Sequence, residues 1–157
     1  MNLDYELKII YISVGNQMVD CSDVIQWAEK WDWGVGEIVA NRLRNNNFKD
    51  WETIIIITSD EQYAGFCILE KKDDWGKALD LSLTPFITSV YIDPKFRGQK
   101  LSEKLLDAAC DFAHSLKFDT VYLISNQQNF YEKFGFEKFT KTLTHSGEME
   151  LVYKKYL

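Results

Sequence analysis

Four basic residues and a glycine lie together where a predicted strand leads into a predicted helix. The stretch SVYIDPKFRGQKLSEKLLDAACDFA occupies residues 89 to 113, and its basic residues are Lys95, Arg97, Lys100 and Lys104. Backbone N–H groups at the start of a helix lack partners within the helix, and the helix dipole adds about half a positive charge there. Gly98 has no side chain to block an approaching ligand. The junction is therefore a candidate anion site, and the alternative is a solvated helix start with exposed cations.

Chain length and charge limit the classes of protein to consider. A length of 157 residues fits one domain over residues 1–157. The net charge of -6 argues against general binding to nucleic acid, which needs a basic surface. The first residues, MNLDYELKII, lack the basic start and apolar stretch of an export signal, and the longest apolar runs are far shorter than the roughly 20 residues that span a bilayer. These features predict a soluble, cytoplasmic protein with no nucleic-acid or membrane partner.

The cysteines and histidines give no sign of a disulfide framework or a metal site. Cys21, Cys67 and Cys110 are widely spaced within apolar patterns, which favours packed, reduced thiols in a cytosol. Only His114 and His145 could supply imidazole ligands. No metal is therefore predicted.

The spacing of apolar residues predicts an α/β domain with a mixed sheet. The predicted order is a strand over 5–12, two helices, a hairpin plus a third strand, a long helix, a strand, a short helix and two last strands. Ser22 is a candidate cap of the first helix, and Ile38, Val39 and Leu43 are expected on one side of the second. The hairpin turns near residues 59–62, with its first strand buried on both faces. Gly65 predicts a bulge or a close backbone approach.

The long helix after residue 100 should be a crossover between two parallel strands. These strands are SVYID and TVYLIS, and the connection between them should be right-handed. Ligands of such sheets gather beyond the carboxyl ends of the strands. The crossover therefore places residues 97–102 at the candidate site.

Two motifs carry a resemblance to a known family. SVYIDPKFRGQKLSEKLL resembles the coenzyme-A-binding motif of the GNAT superfamily of N-acetyltransferases, in which a strand ending in V-x-V-x-P leads to R-G-x-G-x-G/A and a helix. About forty residues on, LISNQQNFYEKFGFEKF is similar to the second hallmark, a Tyr followed by E-K-x-G-F. The match covers about residues 53–157, and the first fifty match only in their strand-helix-helix outline. The resemblance implies a single-domain GNAT-like α/β fold, with a central mixed, mostly antiparallel sheet flanked by about four helices.

The resemblance implies an N-acetyltransferase that transfers an acetyl group from acetyl-CoA to a primary amine of a small molecule or a protein. By this resemblance the backbone of Val90, Tyr91 and Ile92 would pair with the pantetheine arm like an added strand. Asn126 would contact the arm, with Asn129 as a second contact, although Asn126 could equally be a helix N-cap. The residues expected around the pyrophosphate are Gln99, Lys100, Leu101, Ser102 and Glu103, and Arg97 and Gly98 are the other cofactor-binding candidates of this junction.

Lys100 and Ser102 depart from the family pattern, which has small residues at both positions. If Lys100 takes ordinary helical dihedrals, its side chain can point outward and add a cation near the phosphates. If the position demands a positive φ, a lysine costs on the order of 1 kcal/mol or more. The two substitutions bear directly on cofactor affinity.

Tyr131 is the residue that the resemblance favours for chemistry. Its hydroxyl could give a proton to the departing thiolate, and the alternative role is packing against Phe130, Phe134 and Phe136. A backbone N–H near Ser89 or Tyr91 would meet the oxyanion. Because neither Cys67 nor Cys110 has a histidine within its motif, direct transfer is preferred over an acyl-enzyme.

The acceptor side of the site is less defined by the sequence. Glu70, Asp80 and Glu37 are candidate bases, with a surface carboxylate as the alternative for each. A further set of residues could wall an aromatic acceptor pocket or simply pack: Trp27, Trp31, Trp33 and Trp51.

Two other functions are alternatives to that of an amine acetyltransferase. A non-catalytic module on the same fold would bind acyl-CoA or a protein partner, and Lys100 and Ser102 favour it slightly. A nucleotide or phosphate-ester binder would lack the Lys-Ser/Thr pair of a P-loop. Exposed sheet edges and the final strand EMELVYKK leave a homodimer open as well.

Overall fold

The computed structural model describes residues 5–13, 21–31, 34–76 and 82–157. The described residues form seven strands in one sheet: β1 Leu7–Ser13, β2 Thr53–Ser59, β3 Gln62–Glu70, β4 Phe86–Ile92, β5 Thr120–Ser125, β6 Glu137–Leu143 and β7 Met149–Tyr156. They also form three α-helices: α1 Ser22–Glu29, α2 Val35–Arg44 and α3 Leu101–Ser115. Two 3₁₀ turns cover Pro94–Phe96 and Tyr131–Phe134. The strand order in the sheet is β1-β2-β3-β4-β5-β7-β6.

The sheet is mixed and mostly antiparallel, as predicted. Five of its strand pairs are antiparallel, and β4 runs parallel to β5, with α3 as the crossover between them. The register of this parallel pair consists of Phe86 opposite Tyr122. Because the pairing does not continue beyond that point, β4 and β5 separate toward their carboxyl ends.

The apolar core has two layers, one on each face of the sheet. Alternate residues of β2 serve the two layers, with Ile55 and Ile57 packed under α3, and Ile54 and Ile56 under α1 and α2. Every residue of β2 is buried, which confirms the prediction of a strand covered on both faces.

The helix boundaries and faces differ from expectation at a few positions. Helix α1 begins at Ser22 itself, and its N-cap is Cys21, so the prediction of Ser22 as the cap is wrong by one residue. In α2, Val39 and Leu43 are buried whereas Ile38 is 59 % exposed. Ile38 lies about 100° around the helix from Val39, outside the stripe that faces the sheet. The short helix expected after β5 is a single 3₁₀ turn, which ends at Gly135 with φ +88°.

Gly65 lies both beside a β-bulge and at a close approach of two backbones, the two alternatives that the sequence predicts for it. Gly65 pairs with Ile57 and Tyr63 with Thr58, so Ala64 is an extra residue and forms a β-bulge. A Cβ added at Gly65 would lie 2.6 Å from the carbonyl oxygen of Tyr91. A glycine is therefore needed where β3 meets the end of β4.

Among the described residues the outermost strands of the sheet are β1 and β6, and Gly76 forms an isolated bridge with Thr144 just after β6. The final strand β7 lies between β5 and β6, so the prediction that EMELVYKK offers an exposed edge is wrong. The β6 edge carries Glu137, Lys138 and Lys141, and charged side chains on an edge oppose pairing with another chain. None of the helices in the described ranges is both long enough and apolar enough to cross a membrane.

Candidate active site

A cavity of about 1050 Å³ opens where β4 and β5 separate. Helix α3 begins at this cavity, and the 3₁₀ turn that follows β5 forms another part of its wall. The residues that line it are Val90, Tyr91, Ile92, Phe96, Arg97, Gly98, Lys100, Leu101, Ser102, Glu103, Gln127, Phe130, Tyr131, Lys133 and Phe134. The cavity thus gathers most of the predicted cofactor residues together with the predicted catalytic tyrosine.

A second bulge shapes the β4 wall of the cavity. Phe66 pairs with Tyr91 and Ile68 with Thr88, so Ser89 and Val90 together face Cys67. Ser89 has φ +57°, in the left-handed region. A bulge leaves one residue outside the ladder, which frees backbone groups for a ligand. The bulge coincides with the strand segment for which the sequence predicts an oxyanion contact.

The loop between β4 and α3 is held by its own hydrogen bonds. The Lys95 backbone N–H donates to Asp93 Oδ1 over 3.1 Å, and the Phe96 N–H donates to the Asp93 carbonyl over 2.8 Å. The Arg97 Nε donates to the Ile92 carbonyl over 3.0 Å, which ties its side chain to the end of β4. Gly98 follows with φ +88°, and no heavy atom of the described residues lies within 4 Å of a Cβ added there. The loop is therefore ordered, with open space at Gly98.

The backbone of Lys100 adopts the second of the two conformations that the sequence left open. As the N-cap of α3 it has φ +59° and ψ 30°, so the alternative of ordinary helical dihedrals is wrong. A lysine in the left-handed region costs on the order of 1 kcal/mol or more relative to glycine. The exposed side chain nevertheless lines the cavity and brings a cation to the start of α3.

Tyr131, the residue predicted to act as a proton donor, lies in the wall of the cavity. It lines the cavity, is only 8 % exposed, and lies on the 3₁₀ turn after β5. Its ring packs against Phe130, Phe136 and Tyr153 at centroid distances of 4.9, 6.0 and 5.8 Å. Burial, followed by the nearby Cys67 and Tyr153, raises the pKa of Tyr131 to about 12. Packing and cavity lining coexist, and the phenol keeps its proton at neutral pH.

The segment between β5 and Tyr131 is anchored from β7. The Tyr153 hydroxyl donates to the Gln127 carbonyl over 3.0 Å, and the Gln127 N–H donates to Ser125 Oγ over 3.0 Å. Gln127 lines the cavity, whereas Asn126, Asn129 and Gln99 stand outside the lining. Sequence reasoning missed Gln127, Phe96, Phe130, Lys133 and Phe134 as lining residues. Phe130, Lys133 and Phe134 could have been found from their place in or beside the YEKF segment.

The candidate bases differ in their surroundings. Glu70 has a side chain only 20 % exposed, so the alternative of a surface carboxylate is wrong for it. Its Oε1 lies 3.0 Å from Arg42 Nη1, and its Oε2 accepts from the Thr88 hydroxyl. Burial raises the pKa of Glu70, while Arg42 and Thr88 oppose that rise. Glu37 is exposed, and Asp80 lies outside the described residues.

The tryptophans do not form a single wall. Trp27 and Trp31 belong to the layer under α1 and α2, where Trp31 stacks on Phe66 at 4.4 Å and lies 4.6 Å from Tyr91. Trp51 packs edge-on to Phe118 at 5.0 Å, in the layer under α3. Trp33 lies outside the described residues. Since Tyr91 also lines the cavity, Trp27 and Trp31 are the pair connected to the site.

The thiols are unsuited to covalent catalysis. Cys67 and Cys110 are buried, and burial raises the pKa of both thiols, that of Cys110 to about 11. A protonated thiol is a poor nucleophile, which argues against an acyl-enzyme at either residue. Within the described ranges, no group of three or more His, Cys, Asp or Glu residues is arranged to hold a metal ion.

Comparison with known proteins identifies the family of the chain. A family model described as an acetyltransferase (GNAT) domain matches residues 50–138. A search among curated protein sequences found no match. The fold is similar to several solved structures, all less than 25 % identical to this chain.

Three of these structures show how far the likeness extends. A spermidine N-acetyltransferase from Vibrio cholerae has a TM-score of 0.64 at 12 % identity, covering 96 % of this chain and 93 % of that one. The ribosomal-protein-alanine N-acetyltransferase of Escherichia coli has a TM-score of 0.62 at 17 % identity, covering 96 % and 94 %. A Bacillus anthracis protein in complex with acetyl coenzyme A has a TM-score of 0.58 at 21 % identity, covering 72 % and 67 %. With its family match over more than half of its length, this chain belongs to the GNAT acetyltransferase family.

Proposed function

We propose that the protein is an acetyl-CoA-dependent N-acetyltransferase that transfers the acetyl group directly to a primary amine. The observation that carries the proposal is the cavity between the diverging ends of β4 and β5, where a cationic helix start and a protonated Tyr131 line the same space. The family match gives the acetyltransferase class. The likeness to a spermidine and to a protein-alanine N-acetyltransferase supports an amine acceptor.

The walls of the cavity suggest how the cofactor would bind. The backbone of Val90, Tyr91 and Ile92 would pair with the pantetheine arm, and the segment 97–103 would hold the pyrophosphate through backbone N–H groups and the Lys100 cation. Asn126 and Asn129 would contact the arm only if their side chains turn toward the cavity. Gln127 is the better placed polar residue of that segment, because it already lines the space.

Acetyl transfer requires the site to stabilise the carbonyl oxygen, to protonate the departing sulfur and to let the amine lose a proton. The amine nitrogen forms a bond to the thioester carbonyl carbon, and the carbon–sulfur bond then breaks. A backbone N–H at the Ser89–Val90 bulge would stabilise the negative charge on the carbonyl oxygen. The Tyr131 hydroxyl would give its proton to the departing sulfur, which its raised pKa allows because the phenol is protonated at neutral pH. The proton that the amine loses would pass to water or a carboxylate.

The second candidate function is a non-catalytic acyl-CoA-binding module on the same fold. The left-handed Lys100 favours it, because a family glycine position has been filled at some energetic cost. The buried, cavity-lining Tyr131 favours the enzyme. Turnover with an acceptor amine distinguishes the two functions, since a non-catalytic module has no acceptor.

The first test is a calorimetric titration with acetyl-CoA, repeated with ATP as the control anion. At a hundred times its dissociation constant the ligand should add about 2.7 kcal/mol to the free energy of unfolding, which a thermal shift detects easily. A screen of amines, including spermidine and an alanine-terminated peptide, would then follow the release of free coenzyme A thiol. Equal binding of ATP and acetyl-CoA would contradict a dedicated cofactor site. Selective binding without turnover on any amine would favour the module.

A further inference from the structure

We propose that Thr88, fixed by the partly buried Arg42–Glu70 pair, is a positioning residue that holds the Ser89–Val90 bulge of β4 in the conformation needed to bind the acetyl carbonyl. The proposal rests on the proposed function, because it assumes that acetyl-CoA occupies the cavity. It assigns a role to one buried and two partly buried polar residues, none of which lines the cavity. Thr88 itself would touch neither the cofactor nor the acceptor.

The bulge needs an external constraint because its backbone is strained. Ser89 has φ +57°, and a non-glycine residue in the left-handed region costs on the order of 1 kcal/mol or more. Such a conformation persists only where neighbouring contacts determine it. The register is regular up to Ile68 and Thr88, so Thr88 is the last paired residue before the strain.

Thr88 supplies that constraint through its side chain. The residue is 8 % exposed, and its hydroxyl donates to Glu70 Oε2 on the neighbouring strand. A hydrogen bond to a charged acceptor is roughly twice as strong as one between neutral groups. Since this bond acts on the residue immediately before Ser89, it fixes the direction in which β4 enters the bulge.

Glu70 is in turn held by helix α2. Arg42 Nη1 lies 3.0 Å from Glu70 Oε1, and Arg42 Nη2 lies 3.5 Å from Glu52 Oε1. The same guanidinium donates through Nε to the Asn47 carbonyl over 3.2 Å and lies 4.9 Å from the centroid of the Phe48 ring. With this many partners Arg42 has little freedom to move. The Glu70 carboxylate is therefore a fixed point for Thr88 rather than a mobile side chain.

The consequence concerns the carbonyl of the bound acetyl group. The bulge is the place where a backbone N–H leaves the ladder and becomes available to that oxygen. Removing the Thr88 hydroxyl should let the strained segment relax and move the N–H away from the oxygen. Binding of the coenzyme A portion should change little, because most of its proposed contacts lie beyond the bulge, from Tyr91 to Glu103.

The test compares Thr88→Val, which keeps the branched shape but removes the hydroxyl, with Thr88→Ser, which keeps the hydroxyl. Amide NMR spectra of the isotope-labelled full chain are recorded with saturating acetyl-CoA and with saturating coenzyme A. In the wild type the two spectra should differ most at residues 89–91. The difference should be largely lost in Thr88→Val and restored in Thr88→Ser. Thr53→Val is the matched control, since it removes another buried strand hydroxyl, one that donates to the Trp51 carbonyl over 2.9 Å.

The outcomes separate this proposal from the function on which it rests. If the wild type shows no spectral change with either ligand, the cofactor site itself is wrong and both proposals fail. If the wild type binds both ligands and Thr88→Val keeps the acetyl-dependent difference at 89–91, the positioning role alone is overturned. A loss of thermal stability in Thr88→Val that matches Thr53→Val, with the acetyl-dependent difference intact, would likewise show a merely structural hydroxyl.

Discussion

At the scale of single residues, Tyr131 combines burial with access to the cavity. Replacing it with Phe keeps the ring packing but removes the hydroxyl that would protonate the sulfur. We expect Tyr131→Phe to lower kcat by about 100-fold or more, the usual range for a general acid, with the acetyl-CoA dissociation constant nearly unchanged. Steady-state kinetics and calorimetry measure the two quantities. Tyr156→Phe, at an exposed tyrosine of β7, should change neither, and unchanged turnover in Tyr131→Phe would remove the assigned role.

The raised pKa of Tyr131 predicts how the protein responds to alkaline pH. An unfolded tyrosine ionises near pH 10, whereas Tyr131 in the folded chain ionises near 12. Its contribution to the free energy of unfolding is therefore complete below about pH 10 and decreases as the pH rises toward 12. Activity should not be lost through this group below about pH 11. A tyrosinate absorbance titration of the wild type and Tyr131→Phe would isolate its ionisation, and a difference centred near pH 10 would contradict the buried phenol.

Lys100 and Lys117 form a natural comparison, because both lysines have positive φ. Lys100→Gly and Lys117→Gly should each raise the free energy of unfolding by about 1 kcal/mol, since glycine adopts this conformation without steric cost. Only Lys100→Gly removes a cation from the cavity, so only it should weaken acetyl-CoA binding. Urea unfolding and calorimetry measure the two effects. Equal acetyl-CoA affinity in both variants would show that the Lys100 charge does not contact the phosphates.

At the scale of elements, the sequence predicted what depends on local periodicity. The helix α3, the buried strand β2 and the parallel pair β4 and β5 all follow from apolar spacing and from the crossover rule. The R-G junction likewise predicted which end of the sheet holds the cavity. The left-handed conformation of Lys100 could not be predicted, because its φ depends on how the loop closes against β4.

The features that escaped prediction depend on partners distant in the chain. The burial of Glu70 depends on Arg42, which lies 28 residues earlier, and the sequence shows no pattern that joins the two. The strained Ser89 depends on the register of β4 against β3, which shifts between Phe66 and Ile68. Both are tertiary effects, so neither leaves a local sequence signal.

The contact between β3 and β4 gives a prediction at this scale. Gly65→Ala places a Cβ 2.6 Å from the Tyr91 carbonyl oxygen, a backbone atom that cannot move without shifting β4. We expect a loss of about 1–3 kcal/mol in the free energy of unfolding, the range for overpacked sites. Chemical denaturation measures it. Gly34→Ala is the control, because no heavy atom of the described residues lies within 4 Å of its added Cβ and its φ is -57°.

A smaller effect on binding should accompany that loss. Tyr91 lines the cavity, so a displaced β4 end should also weaken acetyl-CoA binding in Gly65→Ala. If Gly65→Ala were as stable as Gly34→Ala, the close approach of the two strands would be wrong.

At the scale of the whole molecule, the sheet separates two layers with different tasks. The cavity joins β4, the start of α3 and the turn after β5, whereas α1 and α2 cover the opposite face. The protein is acidic overall, with a net charge of -6, while two of the three basic residues that line the cavity, Arg97 and Lys100, lie in one short segment. An anionic cofactor should therefore be held by local contacts rather than by the field of the whole protein.

This division predicts where acetyl-CoA alters hydrogen exchange. Backbone amides in 89–103 and 126–134 should exchange more slowly, by up to about 100-fold at a hundred times the dissociation constant where exchange needs the cavity to open. Amides of α1 and α2 should change little, because both helices pack on the other face. Mass spectrometry of peptic fragments measures both regions. Protection spread evenly over both faces would mean that the ligand stabilises the global fold instead, and that the two layers do not respond separately.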